Sequence, residues 1–128
     1  MLYQLKQTIQ SKHNNEKFSQ RVQVERIEKG NRTYLKYDET MQDENVSVVL
    51  SIEENVVRIM RKGPMTMNFK FVEGVKTGTV YETVAGRHRF NIYTTDIQLT
   101  NKEIYIRYKL YEADELLGSY EYHLKKEE

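Results

Sequence analysis

From Tyr3 to Leu124 the apolar residues recur at every second position, run after run, which is the pattern of strands with one buried face rather than of helices. Tyr3, Leu5 and Ile9 alternate with polar residues. So do Phe18, Val22 and Val24, with Ile27 out of phase ahead of Gly30, as at a bulge or strand end. Val46, Val48, Leu50 and Ile52 lead through Glu53-Glu54-Asn55 into residues 56–60, the clearest hairpin. After the Gly63-Pro64 break come Met65, Met67, Phe69 and Phe71, then residues 79–83, the break at Ala85-Gly86, and Phe90 and Ile92. Ile97 and Leu99 read as a separate short run before Asn101-Lys102. Ile104, Ile106, Tyr108 and Leu110, then Tyr120, Tyr122 and Leu124, close the series, with 125–128 expected as a solvated tail.

Roughly nine to eleven strands joined by short turns have few ways to hide their edges. No long crossing connection of the kind a Greek-key sandwich needs is present, so the expectation is a single all-β domain over residues 1–128. Its architecture would be an antiparallel up-and-down barrel of about eight to ten strands. Composition agrees: ten Tyr and four Phe stand against two Ala, a balance that suits pleated, half-buried surfaces.

The same counts exclude several functions. Twenty basic residues against nineteen acidic leave a formal charge of +1, so no broad field draws the chain to nucleic acid or anionic lipid. Without cysteine there is no disulfide, thiolate metal site or thiol nucleophile. The start, MLYQLKQTIQ, lacks the apolar run of a signal peptide, and a cytoplasmic location is expected; Asn31-Arg32-Thr33 and Asn45-Val46-Ser47 then never meet a glycosylating enzyme.

Signals of catalysis are weak. His13, His88 and His123 lie far apart and outside any two-histidine metal spacing, so no metal or cofactor is expected. No serine sits in a GxSxG elbow, and the pairs Asp38-Glu39, Asp43-Glu44, Glu53-Glu54 and Asp114-Glu115 fall mostly at turns. An enzyme is unsupported.

Two constellations stand out. Gly86-Arg87-His88-Arg89, with Arg58, Arg61 and Lys62 before it, would receive a carboxylate or phosphate if the cations converge at one rim; otherwise it is a solvated turn. Tyr34, Tyr37, Tyr105, Tyr108, Tyr111, Tyr120 and Tyr122 form an aromatic set, of which Tyr105 and Tyr111 share a face with Arg107 and Lys109. That face suits a protein partner, a homodimer or stacked single-stranded bases, and cross-strand aromatic and cation–π packing explains it equally well.

Several stretches resemble the YwiB-like family of small bacterial proteins. They are Tyr34-Leu35-Lys36-Tyr37-Asp38-Glu39, Arg61-Lys62-Gly63-Pro64-Met65-Thr66-Met67-Asn68-Phe69, Tyr81-Glu82-Thr83 with Gly86, Thr94-Thr95, Tyr108-Lys109-Leu110 and Gly118-Ser119-Tyr120. The resemblance runs from about residue 20 onward. It implies a calycin-like β-barrel and no catalytic residues, because the family has no assigned activity. Calycins include carriers of small hydrophobic ligands, an analogy of fold alone. Here no Trp supplies the Gly-x-Trp lipocalin signature, no helix follows the first strand as a lid, and adjacent Arg107 and Tyr108 cannot both point inward.

The leading expectation is a non-catalytic binder of a small amphipathic or anionic molecule at the barrel mouth. Its ligand-binding residues would be Arg61, Met65, Met67, Phe69, Tyr37, Glu39, Tyr81, Arg89 and Tyr108. Arg61, in phase with Val57 and Ile59, would anchor the ligand, partnered by Tyr37, Glu39 or Tyr81; as a structural alternative, Arg61 and Glu39 form an internal ion pair. The other class is an interaction module with a filled core that works through its outer Tyr and Arg surface.

Overall fold

Eleven strands run as β1 (Leu2–Gln10), β2 (Asn15–Gln23), β3 (Glu25–Lys29), β4 (Arg32–Met41), β5 (Glu44–Glu53), β6 (Val56–Lys62), β7 (Thr66–Phe71), β8 (Lys76–Thr83), β9 (Gly86–Leu99), β10 (Glu103–Glu112) and β11 (Glu115–Lys126). The computed structural model describes residues 1–41 and 43–127, without the side chain of Met41. All eleven strands join one sheet in the order β2-β1-β11-β10-β9-β8-β7-β6-β5-β4-β3, every neighbouring pair antiparallel.

This order is a meander closed by β1 lying against β11. Strands β2 and β3 sit at opposite ends of the sheet yet follow one another in the chain through Val24, so the sheet must curl until its ends meet. At the join Met1 and Val24 exchange backbone contacts, Val24 N to Met1 O at 2.8 Å and the Met1 amine to Val24 O at 3.2 Å. Beyond that point β4 has no ladder to β2, and a Gln20 side-chain oxygen accepts from the Thr40 N–H at 3.3 Å. The result is an antiparallel barrel nearly closed, with a narrow seam. Eleven strands rather than eight to ten arise partly because one long strand, bent at Val24, counts as β2 and β3.

Residues 86–99 form one strand where two runs were expected. The register of β9 against β10 slips between the Thr94–Tyr108 and Asp96–Arg107 pairs, a bulge that resets the inward phase from Ile92 and Thr94 to Ile97 and Leu99. Nor is the C-terminus a free tail. The Lys126 N–H donates to Lys102 O and Glu127 N–H to Leu2 O, while Glu127 pairs with Arg21 at 2.9 Å; Glu128 lies outside the described residues.

Alternation fills one end of the barrel. Leu5, Leu50, Val57, Phe71, Ile92, Ile106 and Leu124 are all essentially inaccessible. Toward the other end the inward positions become larger, softer and more polar, and there the packing opens.

Candidate functional site

Strand β7 shows the change most directly. Phe71 and Phe69 are buried, Met67 is half-buried, and Met65, just before the strand, is exposed at the rim. This gradient follows the strand from the filled core to the mouth. There a cavity of about 310 Å³ is lined by Met65, Met67 and Phe69 of this row, by Arg61, Val46 and Glu44 from β5 and β6, and by Pro64. Gln7, Ile9, Tyr108, Leu110 and Tyr120 complete the lining.

Its aromatic wall continues the core. Phe71 meets Tyr108 at 4.8 Å between ring centroids, and Tyr108 stacks on Tyr120 at 5.1 Å with only 8° between planes. Gly118 makes room for this stack. A Cβ there would lie 3.0 Å from Gln10 O and 3.2 Å from the Tyr120 ring.

Below the cavity lies a buried polar network. Arg61 donates from Nη1 to Glu39 Oε1 at 3.2 Å and from Nη2 to Oε2 at 2.5 Å, and Glu39 is completely inaccessible. Tyr37 donates its one hydroxyl hydrogen to Glu39 Oε1 at 2.9 Å, so at the 2.6 Å contact with Tyr122 it is Tyr122 that donates. The carboxylate thus receives three charge-matched or polar contacts in a dry setting, which is how a buried charge is tolerated. Burial pushes the Tyr37 and Tyr122 hydroxyls well above the ordinary tyrosine range, helped for Tyr37 by the neighbouring Tyr122 and Glu39. Tyr108 is raised by burial and by Tyr120, with Arg61 pulling the other way.

The structure therefore brings Arg61, Met65, Met67, Phe69 and Tyr108 into the cavity wall and sets Tyr37 and Glu39 beneath it. Tyr81 stands at the rim, its hydroxyl on the Met65 sulfur and its ring edge-on to Phe90. Arg89 is not brought in. Phe90 and Ile92 take the inward phase, so Arg89, opposite Val80, is exposed on the outer wall. The cationic stretch accordingly does not converge: Arg87 pairs with Glu82 at 3.1 Å on the outside.

Seven lining residues lie outside the expected set: Gln7 and Ile9 of β1, Glu44 and Val46 of β5, Pro64 before β7, Leu110 of β10 and Tyr120 of β11. Only closure of the barrel sets β1 beside β11. The inward phase of Ile9 with Leu5, and of Leu110 with Ile106, was a usable signal. The outer Tyr and Arg surface is internally engaged: Arg107 meets Glu121 at 3.0 Å and Asp96 at 3.8 Å, Tyr105 packs edge-on to His123, and Lys76 lies over the Tyr111 ring at 4.9 Å. Among the described residues no group of three or more His, Asp or Glu is gathered as a metal ion would need, and no helix is long and apolar enough to cross a membrane.

An all-antiparallel, nearly closed barrel of eleven strands makes this chain a small β-barrel protein. This chain belongs to the family described as "Domain of unknown function (DUF1934)", whose profile matches residues 4–124. It is 32% identical over 91 residues to the "Uncharacterized beta-barrel protein YwiB" of Bacillus subtilis (strain 168), a match covering 68% of this chain and 64% of that relative's length. The crystal structure of ywiB protein from Bacillus subtilis superposes with a TM-score of 0.80 at 25% identity, covering 99% of this chain and 91% of that one.

Proposed function

We propose that this protein is a non-catalytic, cytoplasmic binder of a small amphipathic molecule, held in the mouth of a calycin-like barrel. The apolar part lies against Met65, Met67, Phe69 and Leu110, and the polar end reaches the rim. One observation carries this reading: the apolar row of β7, instead of ending in packed core, opens into a cavity of about 310 Å³. That volume sits at the low end of the range typical of small-molecule sites, and the wall is mostly apolar with a few converging polar groups. Tyr108 adds a polar group to this wall, within electrostatic reach of the Arg61–Glu39 pair. The rival reading, a module acting through its outer surface, has less to rest on, because Arg107, Tyr105 and Tyr111 already have partners on this chain.

The test is titration with N-phenylnaphthylamine, an uncharged apolar fluorophore. Saturable one-to-one enhancement in the parent, lost in Leu110→Trp with the fold intact by circular dichroism, supports the proposal. Absence of saturable binding, or full binding in the filled variant, contradicts it.

A further inference from the structure

Resting on the reading of the mouth as a binding site, we infer that the bound molecule carries a positively charged head, a protonated or quaternary amine on an apolar or aromatic body. The inference comes from the balance of charge facing inward at this end. Strand alternation turns Lys62, Lys17, Arg21 and Lys109 outward, away from Arg61, Phe18, Val22 and Tyr108. Among the described strand residues, Arg61 is then the one lysine or arginine on the concave face beside the mouth, and no lysine lines the cavity.

Arg61 is not an unbalanced charge. The fully buried Glu39 grips it through both carboxylate oxygens, and an anionic head approaching the guanidinium would meet that carboxylate directly behind it. Two further carboxylates face the opening. Glu44 lines the cavity, and Glu16 lies directly opposite Ile9, so the two side chains share the concave face. Both are exposed, so each carboxylate is open to a ligand arriving from solution. Tyr120, stacked on Tyr108, pairs with Ile9 on the side away from Glu16, and the polarizable sulfurs of Met65 and Met67 line the same cavity as Glu44. An ammonium at the rim would gain from the carboxylates and from the Tyr120 ring, Tyr108 being enclosed between Tyr120 and Phe71, whereas a carboxylate or phosphate would be repelled by the same groups.

The experiment displaces N-phenylnaphthylamine with three probes of equal chain length below their micellisation points: decyltrimethylammonium, decanol and decanoate. The expected order is ammonium first, decanol second and decanoate last, with about a tenfold spread between the ions at low salt that shrinks at high salt. Glu44→Gln and Glu16→Gln, both at exposed positions that should not disturb folding, should each weaken the ammonium by about threefold relative to decanol. Decanoate displacing as well as the ammonium, or a charge preference untouched by both substitutions, overturns this inference while leaving the binding site standing. If none of the three probes displaces a saturably bound fluorophore, this inference falls; if the fluorophore itself shows no saturable binding, the binding reading falls with it.

Discussion

Arg61 reaches from the wall of the mouth to Glu39, which has no exposed surface, and closes on it with two hydrogen bonds of 3.2 and 2.5 Å. The pair makes Arg61 a structural residue first. Arg61→Ala should destabilise the protein by about 3–5 kcal/mol, because it strands a buried carboxylate. The double change Arg61→Met with Glu39→Leu should recover most of that loss. Urea unfolding of the two variants checks it: equal damage in both would mean that the charge pair is not what the single change exposes.

Alkaline pH offers a second check. Tyr37, Tyr108 and Tyr122 are raised by burial above the ordinary value of 10, so the folded state keeps three protons that the unfolded chain releases. Their contribution is complete below pH 10 and is lost above it, because there the unfolded state binds fewer protons. Stability should fall by about 1.4 kcal/mol per pH unit for each group, or roughly 4 kcal/mol per unit for the three. Tyrosinate absorbance should show part of the ten tyrosines ionising only with the unfolding transition. A smooth titration of all ten before unfolding would refute this.

Thr79 and Thr94 face the core with hydroxyls that have no hydrogen-bond partner among the described residues. Thr79→Val and Thr94→Val keep the shape and remove an unpaired polar atom. Each should therefore be neutral or stabilising by up to about 1–2 kcal/mol, measured by thermal unfolding. A clear loss at either position would show that the hydroxyl is satisfied after all.

Gly118 allows β11 to approach β1 closely under the Tyr120 ring. Gly118→Ala should cost about 1–3 kcal/mol, since its Cβ would sit 3.0 Å from the Gln10 carbonyl oxygen, and it should also displace Tyr120 from the mouth. Unchanged stability together with unchanged fluorophore binding would count against the tight contact.

Local alternation explains what could be read in advance and what could not. The hairpin of β5 and β6 and the row in β7 were legible because each strand buries one face, and the phase of Val57 and Ile59 carried Arg61 inward. The unity of β9 was hidden because its bulge shifts the phase between Thr94 and Ile97. The charged neighbours of Arg89 suggest a shared site, whereas Phe90 and Ile92 assign the inward phase to the even positions and leave Arg89 outside. The rest of the mouth depends on the pairing of β1 with β11, residues more than a hundred positions apart, and no local pattern encodes that register. Glu39 as partner of Arg61 had been one of three candidates. The register sets Tyr37 level with Arg61 across Val48 and places Glu39 one inward position further along, opposite Val46, where the long Arg61 side chain reaches it.

Native mass spectrometry of the protein recovered gently from its own host tests the central claim most directly. A cavity that holds an amphipathic molecule predicts a fraction of the protein with excess mass, released as a small organic compound on activation and absent from Leu110→Trp prepared in the same way. A bare mass in the parent, or the same adduct on the filled variant, would contradict it.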